Sequence, residues 1–501
     1  MLVNVLSSSM KVCMFVLNNC KNDSRVLKEA KSLTDAGYDV RVIAVLNKKS
    51  KPIESRDGFK IIRVSTRFVD YHKIILAFFY LPFKALQTFI SVFKKSKKED
   101  LSKKKTKIPS FILLKQINRR GLKIARSIKK KGLWDYIGYS LKDNPFNFLF
   151  GEWMIILIYY IRKFLIFYFF RFLKRLFITI AKVIYKPFSF ILSSYLYRSL
   201  KIVKAEPADI YHANDLNTLP TAFLAKLLFG GKLVYDSHEL YVERNTLKKQ
   251  STLFKLYQKA LESLLIKRTD KNITVNNSIA KELSKRYNIK KPYVIMNAPP
   301  FNNVTRSNLL REKLRSNLAS RIVLYSGGIT FNRGLEELIT SLNYLKNIVL
   351  VIMGYGAPRY VSELKKFIRS QKLSDRVFFF GPVPHGEVTK YAASADLGAA
   401  PIKNSCLSYY YCSPNKVFEY VGAGLPVVGS NFPELKKVIE GYGLGKTFDP
   451  DDPVDIARAI SYVLSDQNKY KIMAKNAYEA IKIFNWENEE KKLLKIYQDL
   501  S

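Results

Sequence analysis

The stretch SPNKVFEYVGAGLPVVGS, residues 413–430, decides the fold. Its first half predicts a helix from about Asn415 to Ala423 that carries Glu419. A Gly-Ala-Gly break follows, and then the apolar run LPVVGS reads as a buried strand. Helix, glycine turn and buried strand in that order are the repeating unit of a parallel α/β sheet. Working outward, RIVLYSG (321–327), NIVLVIMG (347–354), RVFFFG (376–381) and DLGAAP (396–401) are further buried-strand candidates, each followed by a helical or loop segment. The same alternation opens the chain. KVCMFVL (11–17) reads as a strand. SRVLKEAKSLTDAG (24–37) reads as a helix with Val26, Leu27, Ala30 and Leu33 on one face and Gly37 at its C-terminal end. DVRVIAV (39–45) and FKIIRV (59–64) read as the next strands. DIYHA, KLVYDS and KNITV resume the pattern from Asp209. The last helices are expected at roughly 468–484 and 487–500.

Between these blocks the pattern stops. From Tyr71 to Ala205 there are 29 Lys or Arg against 5 Asp or Glu, more than half of the chain's net charge of +43. An apolar-aromatic piece (ILAFFYLPF), a lysine run from Lys94 to Lys107, and the stretch KQINRRGLKIARSIKKKG precede a long apolar-basic segment from Phe146 to Tyr197. The apolar run WMIILIYYI (153–161) ends at Arg162-Lys163, short of the ~20 residues that a spanning helix needs. At 100° per residue, Lys163, Arg171, Lys174, Arg175, Lys182 and Lys186 fall within about 140° of each other, opposite Phe, Leu, Ile and Tyr. That pattern predicts helices lying in an anionic membrane surface rather than crossing it. A helical hairpin packed on protein is the other reading.

Three blocks together, 413–430, NNCKNDSRVLKEAKSLTDAGYDVRVIA (18–44) and DIYHANDLNTLPTAFLAKL with KLVYDSHELYVE (209–243), resemble the family 4, or group 1, glycosyltransferases. The resemblance covers about 11–66 and 205–500 and implies a GT-B architecture, two Rossmann-like domains facing a cleft. It implies an acceptor-side domain of residues 1–70 and 205–305 and a basic amphipathic membrane-associating insertion of 71–204. A nucleotide-sugar domain of 306–480 and a C-terminal helix of 481–501, which can return to the first domain, complete the expectation.

The resemblance also implies roles. Glu419 would accept hydrogen bonds from the ribose hydroxyls of a nucleotide, a task suited to a group that only accepts. A second Glu often stands eight positions earlier in the family, where this chain has Tyr411, which leaves Ser413, Pro414, Asn415 and Lys416 to face a sugar diphosphate. In YSGGITFNRGLEEL (325–338) a strand ends in Gly327-Gly328 and a helix begins near Gly334, an arrangement that admits phosphate to backbone. Arg333 matches one of the family's basic pair, and Gly328 stands where the other is usual. In VYDSHEL, His238 follows a strand end and would face the donor sugar. Its neighbour Glu239 would bind acceptor or sugar, or cap the next helix. The loop Asn18–Arg25 touches phosphate or acceptor, unless Ser24 is simply an N-cap. His212, Asn214 and Asp215 are less distinctive.

The four cysteines, Cys13, Cys20, Cys406 and Cys412, have no metal-ligand spacing. No Asp-x-Asp stands at a strand end, and Asp449-Pro450-Asp451-Asp452 reads as helix capping. No catalytic metal and no cofactor beyond the nucleoside-diphosphate sugar are therefore expected. The expected function is retaining transfer of a sugar, hexosyl or N-acetylhexosaminyl, to a glycan or lipid-linked acceptor in surface polysaccharide or glycolipid biosynthesis. The expected place is the cytoplasm, peripheral at the inner face of the cell membrane, because no signal peptide is read in MLVNVLSSSM and the cysteine pattern suits a reducing compartment. No nucleic-acid partner is expected. The rival readings are an epimerase or phosphorylase on the same fold, and a membrane- or nucleic-acid-binding scaffold with a degenerate transferase fold.

Overall fold

The computed structural model describes residues 9–48, 50–66, 189–246, 250–302, 305–314 and 320–500. The predicted insertion helices between Tyr71 and Lys186 lie outside the described residues.

The N-terminal half runs β1 (Lys11–Phe15), α1 (Ser24–Asp35), β2 (Asp39–Val45), β3 (Ile53–Arg56), β4 (Phe59–Val64), α2 (Ser189–Ala205), β5 (Ile210–Asn214), α3 (Leu219–Phe229), β6 (Lys232–Ser237), α4 (Thr252–Ile266), β7 (Lys271–Thr274), α5 (Asn277–Tyr287) and β8 (Tyr293–Val294). The sheet order is β3-β4-β2-β1-β5-β6-β7-β8, parallel except that β3 is antiparallel to β4. The reading of the sequence passed over β3. Asp57-Gly58, both at positive φ, form the tight turn of its hairpin with β4, and an Asp-Gly pair was the signal for it. The helix α1 starts one residue earlier than a Ser24 cap would place it. Asp23 is the N-cap, and its carboxylate accepts from the Val26 N–H.

The C-terminal half runs α6 (Leu309–Leu314), β9 (Arg321–Ser326), α7 (Leu335–Ser341), β10 (Ile348–Met353), α8 (Pro358–Ser370), β11 (Val377–Gly381), α9 (Val388–Ala392), β12 (Leu397–Ala400), α10 (Leu407–Tyr410), α11 (Asn415–Gly422), β13 (Val427–Ser430), α12 (Pro433–Ile439), β14 (Gly445–Phe448), α13 (Pro453–Leu464) and α14 (Gln467–Ala480). Its all-parallel sheet has the order β11-β10-β9-β12-β13-β14. The five strands expected here are present, and β14 joins them. Asp452 caps α13 by accepting from Val454 N–H, as the acidic turn before it predicted.

Both sheets reverse strand order once beside their first strand, at β1/β5 and at β9/β12. Such reversals leave a crevice at the carboxyl ends of the strands, where ligands bind in open α/β sheets. Asn18, Asp215, Gly327 and Pro401 all follow strands at these two points.

Two elements fix the halves in place. The helix α2 belongs to the N-terminal core: Tyr195 and Val203 are buried, and the Tyr195 hydroxyl donates to the Ile43 carbonyl at 2.8 Å. The last helix, α15 (Trp486–Gln498), lies on α1 of the first half. There Trp486 Nε1 donates to Ser32 Oγ at 2.9 Å, and Leu493, Ile496 and Tyr497 join the core around Val12 and Met14. Each such buried side chain contributes roughly 1.5–3 kcal/mol. Trp486 N–H also donates to the Pro299 carbonyl at 2.9 Å, so the two strands of chain that pass between the halves are bonded to each other.

In β12, Gly398 is set directly on the Tyr420 ring. A Cβ there would stand 2.2 Å from Tyr420 Cδ2, and the ring cannot retreat because its hydroxyl accepts from Ser326 N–H at 2.7 Å. Gly398→Ala is expected to cost about 2 kcal/mol or more by overpacking. A clearly lowered melting temperature by calorimetry checks this, and an unchanged one refutes it.

Candidate active site

A cleft of about 660 Å³ is lined from both halves. The N-terminal half contributes Asn18, Asn19, Asn22, Asp23, Ser24 and Arg25 after β1, His238 and Glu239 after β6, and Asn297. The C-terminal half contributes Arg333, Tyr355, Ser408, Tyr409, Cys412, Ser413, Pro414 and Asn415. Bonds across it hold its walls. Ser408 Oγ donates to Glu239 Oε2 at 3.3 Å, and Asn276 Nδ2 donates to the Tyr411 carbonyl at 2.7 Å and to Ser413 Oγ at 3.0 Å. At the position of the family's second Glu it is thus the backbone of Tyr411 that is used, as an interdomain acceptor.

The N-terminal wall is a closed network of charge. Arg25, 2% exposed, grips Asp236 through two parallel bonds, Nε to Oδ2 at 2.6 Å and Nη2 to Oδ1 at 2.9 Å. Its Nη1 donates to the Ile295 carbonyl at 2.8 Å. Asp236 Oδ2 also meets His238 Nε2 at 3.0 Å, with Asn214 Oδ1 3.2 Å from the same nitrogen. The His238 backbone N–H donates to Asp215 Oδ1 at 3.0 Å, and its Nδ1 lies 3.6 Å from Asp215 Oδ2. Burial disfavours a charged imidazole here, but Asp215 and Asp236 outweigh it and raise the His238 pKa to about 10. Burial would raise the Asp236 carboxyl, but Arg25 and His238 hold it far below the usual range. Glu239 rises to about 7, from burial and from Asp215.

Behind this wall Glu29, His212 and Asp236 come within metal-ligand reach of one another. Their donors suit protein partners better than an ion: both Asp236 oxygens hold Arg25, and His212 Nδ1 is 2.6 Å from Tyr497 Oη. Burial lowers the His212 pKa to about 4. His212 is thus a core residue joined to α15 and does not line the cleft. Asp236 and the pairing of Arg25 with it were missed in the sequence, where Arg25 stood only as the end of the polar loop Asn18–Arg25. Asp236 is the last residue but one of β6, and His238 follows the strand directly.

The C-terminal wall is open in charge. Lys416, in the first turn of α11, is 7% exposed, and its Nζ has no hydrogen-bond partner. It sits 3.4 Å from the Tyr325 ring centroid and 3.5 Å from where a Cβ on Gly327 would be. Burial and the nearby Arg333 push the Lys416 pKa well down, with Glu419 opposing. Arg333 stacks on Tyr409, its guanidinium carbon 4.7 Å from the ring centroid, and its Nε is unpartnered. A buried cation beside a partly buried one, with unmet donors, makes an anion-binding wall. Gly328 faces open space. Lys416 therefore brings a cation to the Gly327-Gly328 turn that Gly328 does not carry. Glu419, one turn after Lys416, has its pKa raised to about 7 by burial.

Two Rossmann-like sheets sharing a cleft, one wall of which is suited to phosphate, define the GT-B architecture. The family model "Glycosyl transferases group 1" matches residues 307–480, and "Glycosyltransferase Family 4" matches 170–298. The two together span more than half of the chain, and it belongs to the family 4, or group 1, glycosyltransferases. Among curated relatives, a D-inositol 3-phosphate glycosyltransferase of Xylanimonas cellulosilytica is 26% identical over 203 residues, 40% of this chain and 47% of that protein. The chain spans less than half the length of the first curated relatives that it matches. Among solved structures, a sucrose-phosphate synthase from Thermosynechococcus elongatus has the same fold, with TM-score 0.67 at 15% identity, over 98% of this chain and 99% of that one. So does Anabaena Alr3699/HepE in complex with UDP-glucose, with TM-score 0.61 at 13% identity, over 98% of this chain and 100% of that one.

The two histidines of the network should titrate in opposite directions. His238 is expected to keep its proton through neutral pH and release it near pH 10. His212 is expected to stay neutral until pH falls to about 4. Because the folded pKa of His238 lies above the ordinary 6.5, its contribution to stability is complete below pH 6.5 and is lost as pH rises toward 10. His212 contributes above pH 6.5 and loses its contribution as pH falls toward 4. Imidazole nitrogen shifts measured by NMR against pH check both, and an ordinary titration of His238 near 6.5 would refute the arrangement.

Proposed function

We propose that the protein is a retaining glycosyltransferase that uses a nucleoside-diphosphate sugar. The observation that carries this reading is the buried, unpartnered Lys416 ammonium beside Arg333 and the Gly327-Gly328 turn. A diphosphate satisfies both cations at once, at the N-terminal end of α11, whose unpaired N–H groups also favour an anion. Glu419 accepts from the ribose hydroxyls, and Asn415 with Ser413 borders the sugar. The UDP-glucose of the Anabaena structure supports a sugar nucleotide as donor.

In the reaction the bond from the anomeric carbon to the diphosphate breaks, and its electron pair leaves with the nucleoside diphosphate. The acceptor oxygen bonds to the same face of the sugar and passes its proton to the departing phosphate. Arg333 and Lys416 stabilise the charge that develops there. His238 already carries its proton, so it acts as a hydrogen-bond donor to the sugar and not as a base. Glu239, with its raised pKa, sits across from Ser408 where the acceptor approaches. Transfer proceeds without a metal ion, and chelation should leave it unaffected.

The acceptor is a glycan or lipid-linked precursor of a surface polysaccharide or glycolipid, and the sugar is a hexose or N-acetylhexosamine. The basic-aromatic pattern of 146–188, ahead of the core helix α2, supports an enzyme working from the cytoplasmic side, on an anionic membrane surface.

Lys416→Met and Arg333→Ala are each expected to weaken nucleotide-diphosphate binding about ten- to hundredfold, through the loss of a charge-assisted hydrogen bond. Glu419→Gln should weaken it less. Calorimetric titration with UDP, GDP and ADP checks all three, and unchanged affinity in the two cation variants would remove the donor site from this wall. His238→Ala should lower turnover with an added acceptor far more than it lowers affinity for free nucleotide. Full activity in that variant would leave His238 a structural role only.

A further inference from the structure

The helix α4 buries Leu265 and Ile266 together with polar side chains. Its buried side carries Gln258 and Glu262, at 4% and 1% exposure, and Glu262 accepts from the hydroxyls of Tyr235 at 2.6 Å and Tyr287 at 2.7 Å. Its outer side carries Leu253, Leu256, Tyr257 and Leu264, exposed at 79%, 57%, 50% and 53%. These fall at i, i+3, i+4 and i+11, an apolar stripe about 100° wide at helical spacing. The C-terminal end of α3 adjoins it: Lys226 Nζ donates to Asp270 Oδ2 at 2.6 Å and to the Arg268 carbonyl at 3.4 Å. There Leu227 and Leu228 stand out at 66% and 56%. Single exposed leucines need no explanation, but an ordered stripe continued by a second helix does.

We infer that this face of α4 and the end of α3 seat on an anionic lipid surface. Charge selects the occupant. Lys259 and Lys267 flank the stripe and make no ion pair among the described residues, whereas the nearest acids are engaged, Glu243 with Lys255 and Arg286, and Asp270 with Lys226. An apolar stripe edged with free lysine is the composition of an interfacial helix. A second copy of the chain would set lysine against lysine, and the chain's own basic segment would meet the same repulsion. No described helix is long and apolar enough to cross a membrane, so this contact is with the surface. The stripe begins where Lys255 meets Glu243 at 3.9 Å, on the segment that follows Glu239, so lipid contact here brings a membrane-held acceptor to the acceptor side of the cleft. The lipid contact itself does not rest on the proposed sugar transfer.

The experiment uses the full chain carrying Tyr257→Trp and vesicles of phosphatidylcholine with or without phosphatidylglycerol, the lipids brominated near the headgroup. The added tryptophan emission, taken as the difference from wild type, should be quenched when anionic lipid is present. Leu253→Ser/Leu256→Ser/Leu264→Ser in that background should cut the quenching and lower vesicle affinity roughly tenfold. Lys259→Glu/Lys267→Glu should remove mainly the dependence on anionic lipid and on salt. Nucleotide titration of the serine variant should match wild type, which separates failure of this inference from failure of the donor site. Vesicle binding with no quenching at position 257 would overturn the inference, since contact would then lie elsewhere. So would a dimer in sedimentation that the serine variant converts to monomer.

Discussion

The bidentate pair between Arg25 and Asp236 is the constraint on which the site is built. It ties α1 to β6 across the carboxyl ends of the first sheet, at the strand-order reversal. A buried pair of this kind returns little net stability against two hydrophobic residues. Removing one member, however, leaves an uncompensated charge and costs about 3–5 kcal/mol. Its value lies in position. Asp236 with both oxygens held cannot rotate, so its remaining lone pair fixes the His238 ring, and Asp215 fixes the other edge. The helix α15 closes the back of the same network through Tyr497 and His212. The C-terminal segment is therefore coupled to the cleft through contiguous polar contacts.

The two walls of the cleft differ in how far their charges are settled. On the N-terminal side each strong charge meets an opposite one: Arg25 and His238 with Asp236, and His238 with Asp215. On the other side Arg333 adds to the cost of charging the buried Lys416, which packs on a ring face and a glycine turn with Glu419 opposing. A fold does not bury a cation with an unmet donor beside a second cation unless something else gains from it. In the proposed function this asymmetry suits the anionic part of a donor to the second domain, and the uncharged sugar and acceptor to the first.

Most of the architecture was legible from apolar runs. The strands of both sheets are short, continuous apolar runs, and the helices between them have clean starts, so period and length sufficed for β1, β2, β4 to β7 and β9 to β13. What was lost was lost for physical reasons. The edge strand β3, with the sequence IESR, buries little and has no apolar run. β14, with GKTF, is stabilised mainly by its neighbour β13 and by α13 packed on it. Arg25 was read only as the end of the loop Asn18–Arg25, and Glu29 was given no role, because pattern reading does not bury a charged side chain. Their burial depends on Asp236, 211 residues away from Arg25, and no local signal reports such a pairing. Glu419, Arg333 and His238 were read as site candidates because each belongs to a motif. Lys416 was one of four candidates in its motif, and only its burial without a partner distinguishes it from Asn415, which is exposed.

The chain's excess of positive charge is therefore a poor guide until partners are considered. Asp396 alone engages Arg306, Arg311 and Arg321, and Glu206 engages Lys11 and Arg41, so many cations in the described residues do structural work. The cations that inform are those with no ion pair among the described residues: Arg333 and Lys416 on the C-terminal wall, and Lys259 and Lys267 on the rim of an apolar face. Lys416 is desolvated and Arg333 partly so, which suits the compact anion proposed for them, held through short hydrogen bonds with little sensitivity to salt. The second pair is in water, so it acts at the range of the Debye length, about 8–10 Å at physiological ionic strength, and suits an extended anionic surface. Burial alone thus sorts like charges into two kinds of binding, one for a nucleotide and one for a membrane.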